Sequence, residues 1–252
     1  MTIQSDIRGA RREDDRVRGG VLRYAREAAM TASPLPGEVE LARRLDATRQ
    51  QVRNALAALE NQGIVKRRQG AATTVDLVAL RMNVRLEEQL EHSELLERLG
   101  YEAAVEVLDV RRVPAGDGAA ALLTETGGEP VRIVKRWSAD GRPAMVAEDT
   151  VAVPDGWDGD IGSAGSVFAL VERVWGEPIV WEVATPGVIV LDEQRAEQMG
   201  LPVGAPALTF DILGMTVGGR RAFHAIEVHN PDIVSYSLLR TVRPPWSSTS
   251  GI

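Results

Sequence analysis

The stretch TRQQVRNALAALENQGIVKRRQGAATTV, residues 48–75, decides the fold of the amino-terminal part of the chain. Thr48 and Gln51 have the S/T-x-x-E/Q spacing of a capping box, which predicts that a helix begins at Thr48. The pair Gln62-Gly63 ends this helix. Its apolar residues recur at helical spacing and form one buried stripe: Val52, Ala55, Leu56 and Leu59.

The opposite face of the first turns carries polar side chains that can donate hydrogen bonds: Arg49, Gln50, Arg53 and Asn54. The first residues of a recognition helix enter the major groove of DNA, where Arg can bind guanine and Gln can bind adenine through paired hydrogen bonds. Thr48 and the positive end of the helix dipole suit a phosphate. We therefore expect the start of this helix to contact double-stranded DNA.

A basic hairpin is predicted after the helix. Residues 64–68 alternate as a strand, residues 69–72 form a turn, and residues 73–75 form the returning strand. Lys66 and Arg68 give this hairpin positive charge, so we expect it to lie against DNA phosphates or in the minor groove.

Two helices are predicted upstream, from Val17 to Ala28 and from Glu38 to Leu45, and the ordered set of elements predicts a winged helix-turn-helix over residues 16–75. A short helical bundle with a solvated arginine face is the alternative. Residues 1–15 lack apolar periodicity and are predicted to be a flexible arm.

The composition describes a folded protein whose two parts differ in charge. Of 252 residues, 44% are hydrophobic and 26% are charged, which excludes wholesale disorder. Residues 1–75 hold 14 Lys or Arg against 9 Asp or Glu, and residues 76–252 hold 15 against 27. The sequence therefore predicts a basic module followed by an acidic one.

Several classes of protein are excluded by what the sequence lacks. No apolar run approaches the length of a membrane helix, so we expect a soluble, cytoplasmic protein without a membrane partner. The absence of cysteine excludes disulfide scaffolds and thiol chemistry. Three histidines, His92, His224 and His229, are too few and too scattered to predict a metal cluster, and no cofactor is expected.

The rest of the chain predicts a second domain of the α+β class over residues 93–245, after a linker at 76–92 and before a flexible tail at 246–252. Strands outnumber helices, and turn signals such as Asp140-Gly141 separate alternating runs, so the sheet should be mainly antiparallel. The predicted strands are 105–113, 130–137, 144–153, 179–190, 207–217, 222–228 and 234–242, and the predicted helices begin at Ser93, Ser166 and Asp192.

The amino-terminal motifs resemble the DNA-binding domain of GntR-type bacterial transcription regulators. The resemblance is nearly continuous over residues 35–75 and includes LPGEVELA at 35–42 and LENQGIV at 59–65. It implies that four positions of the recognition helix contact operator bases or phosphates: Thr48, Arg49, Gln50 and Arg53. It also implies that Gln69 and Gly70, at the tip of the wing, enter the minor groove.

The second half resembles the effector-binding UTRA domain of the HutC branch of this family, whose fold is like that of chorismate lyase. The pieces that carry the resemblance are ADGRP at 139–143, SVFALV at 166–171 and EQMGLPVGAP at 197–206. The resemblance implies a small-molecule effector bound within this domain and a homodimer formed through it. Ligand binding would then change the spacing of the two DNA-binding domains.

The resemblance also implies a set of candidate effector-binding residues: Lys135, Trp137, Glu148, Ser166 and Tyr236. Lys135 and Trp137 stand where relatives commonly place two arginines, which points to a less charged, more aromatic ligand, as does Trp181. For both tryptophans the alternative is core packing, and for Ser166 it is an ordinary helix cap.

The sequence thus predicts a homodimeric, ligand-responsive repressor that binds a near-palindromic operator, and not an enzyme. Two alternatives stay open. In one, the carboxy-terminal domain only dimerises and repression is constitutive. In the other, this domain retains lyase-like chemistry on an aromatic acid, although no nucleophile and base or paired carboxylates occur at a catalytic spacing.

Overall fold

A computed structural model describes residues 3–68, 72–81, 84–123, 127–157, 159–161 and 165–238. These residues form two compact units. The first runs to Leu90 and also includes Arg98–Gly100 and the chain from Ser235 onward. The second holds Glu91–Glu97 and Tyr101–Val234. None of the described helices is long and apolar enough to cross a membrane.

The first unit contains a three-helix core with a small hairpin. Its helices are α1 (Ile3–Met30), α2 (Glu38–Arg44), α3 (Arg49–Asn61) and α4 (Leu77–Arg81), and strands β1 (Val65–Lys66) and β2 (Thr74–Val75) pair antiparallel. The buried residues include Val17, Val21, Leu41, Val52, Leu56, Leu59 and Ile64. Gly20 of α1 lies against the side chain of Leu45, where a Cβ would collide, so the two segments can approach closely.

Helix α1 is longer than the sequence predicted. An arm without regular structure was expected over residues 1–15, yet α1 begins at Ile3. Within this extension the Arg16 guanidinium pairs with Glu13 one turn earlier, 2.6 Å between Nη2 and Oε1. Such pairs three residues apart support a helix that buries little apolar surface.

The second unit is built on a six-stranded antiparallel sheet with strand order β3-β4-β5-β8-β7-β6. The strands are β3 (Ala103–Arg112), β4 (Glu129–Ala139), β5 (Arg142–Val153), β6 (Ile179–Val190), β7 (Pro206–Thr216) and β8 (Arg221–His229). The helices are α5 (His92–Arg98), α6 (Gly118–Ala121), α7 (Val167–Trp175) and α8 (Glu193–Met199). The α+β class with a mainly antiparallel sheet is confirmed.

Alternate residues of each strand face opposite sides of this sheet. On one side α8 covers a cluster of Val134, Val146, Leu191, Ala196, Met199 and Val228. The other side, which we call the polar face, holds Lys135 and Trp137 of β4, Asp149 of β5, and Glu227 and His229 of β8, among apolar neighbours. Phe168 of α7 packs edge-on against Phe223 of β8 on that side.

Several predicted boundaries are confirmed by their local geometry. Asp140 and Gly141 both have positive φ, as the tight hairpin between β4 and β5 requires. Ser166 and Asp192 cap α7 and α8 through their side chains. Gly176 and Gly200 end those two helices in the left-handed conformation.

The strand predicted at 234–242 is wrong over its described part. After β8 the chain turns at Asn230, whose carbonyl accepts hydrogen bonds from the amides of Ile233 and Val234. Pro231 offers no N–H to a sheet ladder. Only Ser237 forms a bridge, to Arg85, within residues 234–238. Residues 239–242 and the predicted tail lie outside the described residues.

Candidate functional sites

The recognition helix α3 begins with the predicted capping box. The Gln51 amide donates to Thr48 Oγ1 at 3.2 Å, and the Thr48 amide donates to Gln51 Oε1 at 2.9 Å. The Thr48 hydroxyl also donates to Gln51 Oε1 at 2.9 Å. The capping box thus fixes the direction of the helix axis, with the four residues predicted to contact DNA at its exposed start.

The donors at the start of α3 are exposed, and they differ in how they are held. The Gln50 amide donates to Asn54 Oδ1 at 2.9 Å. Arg53 reaches back to Glu38 of α2, 3.3 Å between Nη2 and Oε2. Among the residues that the structure describes, no carboxylate pairs with Arg49. Of the two arginines at the start of this helix, Arg49 can therefore approach a base edge without first breaking an ion pair to a described carboxylate.

The wing carries the predicted cations, with one addition. Lys66 Nζ lies 3.1 Å from Asp76 Oδ2, and Arg68 is exposed. The predicted tip, Gln69 and Gly70, lies outside the described residues. Arg67, which the sequence did not single out, donates to Glu60 of α3 at 2.6 Å and lies 3.8 Å from Glu38. This contact ties the wing to the recognition helix.

In the second unit the polar face buries charged side chains together. Lys135 is 0% exposed and Asp149 is 2% exposed, with 3.3 Å between Nζ and Oδ2. The Trp137 ring lies 5.8 Å from the Lys135 ammonium. Burying a charged side chain costs free energy, and clusters of such side chains occur at functional sites. We therefore treat this group as a candidate binding site.

Two histidines complete this group, which we call the polar cluster: His92, Lys135, Trp137, Asp149, Glu227 and His229. His92 Nε2 lies 3.0 Å from Glu227 Oε1, and His229 Nε2 lies 2.9 Å from Glu227 Oε2. The His92 ring stacks on Trp137 with 4.5 Å between centroids. The expectation that the histidines are scattered is therefore wrong for two of the three.

Burial and proximity shift the pKa values in this region in opposite directions. Burial alone would lower the pKa of His92, but the charge of Glu227 and its hydrogen bond raise it. Burial alone would raise the pKa of Glu227, but the two imidazoles hold it below its usual range. Burial lowers the pKa of His229 and raises that of Asp149. Burial, together with the charge of Glu227, raises the pKa of Glu182 to about 8.

Glu148, a predicted effector ligand, lies on the opposite face of the sheet from Lys135 and Trp137, and its role as a ligand stays a prediction. Lys135 pairs with Ala147, so Glu148 points to the side covered by α8, where it lies 3.3 Å from Arg132. There it lines a cleft of about 390 Å³ beside α8. Its neighbour Asp149 shares the polar face with Lys135, because side chains alternate along a strand.

The other candidates fall in three different places. The Ser166 hydroxyl accepts a hydrogen bond from the Ala169 amide at 3.2 Å, which confirms its role as a helix cap. The same hydroxyl donates to Glu91 and lines an open cavity of about 630 Å³. Tyr236 lies beyond the sheet, in the part of the chain that belongs to the first unit. Trp137 is buried as expected of a core residue, whereas Trp181 is 61% exposed on the edge strand β6.

A winged helix-turn-helix with exposed donors on its recognition helix, followed by a separate α+β unit, is the architecture of a DNA-binding transcription regulator. The model of bacterial regulatory proteins of the gntR family matches residues 27–75, and that of the UTRA domain matches residues 98–235. The chain belongs to the GntR family and carries a UTRA domain. It is a regulator and not an enzyme, which removes the lyase-like alternative.

Solved and curated relatives agree with this assignment. The crystal structure of PhnF from Mycobacterium smegmatis is 19% identical over 83% of this chain and 92% of that chain, with a TM-score of 0.55. The possible transcriptional regulator YydK from Bacillus subtilis is 17% identical over 88% and 99%, with a TM-score of 0.50. Both likenesses show the fold.

The uncharacterized HTH-type transcriptional regulator RB1450 of Rhizobium meliloti is 33% identical over 114 residues, 45% of this chain and 46% of that protein. The match thus spans about half the length of that relative.

Proposed function

We propose that the protein is a homodimeric repressor of the HutC branch whose binding to a near-palindromic operator is modulated by a small-molecule effector. The observation that carries this proposal is the polar cluster in the UTRA domain, because buried ionisable side chains with shifted pKa values cluster at functional sites. The family's DNA-binding role implies that the protein acts in the cytoplasm.

Lys135 and Trp137 are the residues we assign to the effector, and Ser166 lines an open cavity elsewhere in the same unit. Glu91 is close to both the cavity and the polar cluster. Its carboxylate accepts a hydrogen bond from the Ser166 hydroxyl, and its charge acts on His92 and Glu182. An ammonium and an indole side by side suit a ligand with an aromatic or weakly anionic group. Tight binding of a phosphosugar that Lys135→Ala abolishes would contradict this ligand class.

The edge strand β6 supports dimerisation. Its apolar side chains are exposed along most of its length: Val180, Trp181, Val183, Val188 and Val190. A long edge strand with exposed apolar side chains favours association with another chain. A second copy of this protein suits this edge, because two linked recognition helices read two half-sites about one helical turn apart. Sedimentation of Val188→Lys as a monomer, beside a dimeric wild type, would support this arrangement.

The regulator itself is tested by fluorescence anisotropy with DNA from upstream of its own gene. We expect selective binding over random DNA at equal salt, lost in Arg49→Ala and retained in Arg195→Ala, which changes an exposed arginine of α8. Candidate effectors are then added to the complex. Equal binding of both DNAs by the wild type would contradict selective recognition of this site.

A dimerisation-only UTRA domain is the second candidate. It is favoured by the ion pair of Lys135 with Asp149, which offsets the buried positive charge without a ligand, although the ammonium makes no hydrogen bond. Saturable binding of a small molecule that weakens in Lys135→Met supports the ligand-responsive repressor. Repression that no metabolite extract relieves, together with no saturable binding, supports the constitutive one.

A further inference from the structure

We propose that His92, Glu227 and His229 form a binding site for one divalent transition-metal ion of the Zn²⁺ class. The three side chains come from α5 and β8, and all three are buried. Their ligand atoms lie within 4.8 Å of one another. The inference goes beyond the proposed repressor and requires neither an effector nor DNA.

The residue types are those that bind such ions. Two imidazoles and a carboxylate suit Zn²⁺, Ni²⁺ and Fe²⁺, and three protein ligands leave positions for water or another donor. The whole chain contains three histidines and no cysteine. Two of these three histidines direct Nε2 at the same carboxylate, although they are far apart in the sequence.

The separations are suitable for one shared ion. Nε2 of His92 and of His229 lie 3.0 and 2.9 Å from the two oxygens of Glu227. Metal–ligand distances of about 2.0–2.2 Å place neighbouring ligand atoms roughly 3 Å apart when the angle at the metal is near 90°. Small side-chain movements therefore suffice to replace the two hydrogen bonds by bonds to an ion.

Aromatic neighbours hold both imidazoles in place. His92 stacks on Trp137, and His229 lies edge-on to Phe210 with 5.1 Å between centroids. Side chains whose orientation is fixed by packing lose less entropy when they bind a ligand.

The strand β8 also provides a matched control. His224 is buried on the same strand but faces the other side of the sheet, 2.9 Å from Asp211. If any histidine of this chain could bind the ion, His224 would contribute to binding as much as His92 and His229 do. His224→Ala therefore tests the position and not the residue type.

The test uses the full-length chain without a histidine tag, dialysed against a chelator and titrated with ZnCl₂ by calorimetry and with Co²⁺ by visible absorption. We expect one ion per chain and Co²⁺ bands stronger than those of the aqueous ion. His229→Ala and Glu227→Gln should weaken binding at least about tenfold, while His224→Ala binds as the wild type does. Circular dichroism checks that each variant is folded.

A second measurement needs no variant. In NMR spectra of the wild-type protein, Zn²⁺ should shift the ring signals of His92 and His229 and leave those of His224 unchanged. Absence of saturable binding at one equivalent, an equal loss in His224→Ala, or a shift of all three histidines would overturn the site. The DNA titration above is independent of this result, so a failed metal site leaves the regulator standing.

Discussion

The two units of this protein hold their positive charges in opposite environments. In the winged helix-turn-helix, Arg53 and Lys66 are exposed and pair with carboxylates at 3.3 and 3.1 Å. In the UTRA unit, Lys135 makes a similar pair with Asp149 but is completely buried. An exposed pair can exchange its carboxylate for a phosphate at little cost, whereas a buried pair can change partner only when a ligand replaces it.

The largest expected effect is on the buried pair. Lys135→Ala leaves the buried carboxyl group of Asp149 without its cation and opens a cavity, so the free energy of unfolding of the second unit should fall by about 3–5 kcal/mol. Urea unfolding followed by tryptophan fluorescence measures this, because four of the five tryptophans lie in that unit. Arg136 lies on the same strand as Lys135 and pairs with Glu106 of β3 at the surface. Arg136→Ala breaks this pair and should cost about 1 kcal/mol or less. Equal losses would remove the contrast between a buried and an exposed ion pair.

The next effect is on base recognition. Arg49→Ala should weaken binding to the operator by about 1–3 kcal/mol and relax its sequence preference, because Arg49 is assigned to a base edge. Anisotropy titrations against the operator and against single-base variants measure this. Uniform weakening on operator and random DNA would instead assign Arg49 to a phosphate.

The capping box is expected to contribute less. Thr48→Ala removes the acceptor for the Gln51 amide and should lower the free energy of unfolding of the first unit by about 0.5–2 kcal/mol. Far-ultraviolet circular dichroism during thermal unfolding measures this loss. Thr48→Ser retains the hydroxyl and should restore most of the stability; a serine variant as unstable as the alanine variant would exclude the cap as the cause.

Lys66 should act through charge alone. Lys66→Ala is expected to weaken all DNA sequences alike and to reduce the slope of log affinity against log salt by about 1. Titrations at several salt concentrations, with operator and random DNA in parallel, check both statements. A loss confined to the operator would show that Lys66 reads sequence.

The last prediction separates two carboxylates by pH. The pKa of Glu182 is raised to about 8, so the folded state gives up stability as pH rises from about 4.5 to 8, and Glu182→Gln should remove that decline. The pKa of exposed Glu40 is lowered to about 2 by its hydrogen bonds to Arg43 and Arg44. Glu40→Gln should change the pH dependence only below about 4.5. Identical profiles for the two variants would contradict the difference between the units.

The sequence predicted the geometry of the recognition helix more fully than the polar cluster, because the two depend on different distances along the chain. A capping box is a pattern of three residues, and the stripe from Val52 to Leu59 places Arg49 and Arg53 outward without any tertiary information. The polar cluster instead depends on contact between His92 of α5 and Glu227 of β8, which are separated in the chain by most of the elements of the second unit. Within one strand, a step of one residue reverses the face, which separates Glu148 from its neighbour Asp149 and from Lys135.

Glu38 gives the DNA-binding surface an internal substitute for a phosphate. Its carboxylate lies 3.3 Å from Arg53 and 3.8 Å from Arg67, between the recognition helix and the wing. If these guanidinium groups meet phosphates, random DNA has to compete with this carboxylate and offers no base contacts in return. We then expect shorter residence on wrong sequences, and so a faster search along DNA than the arginine content alone would suggest.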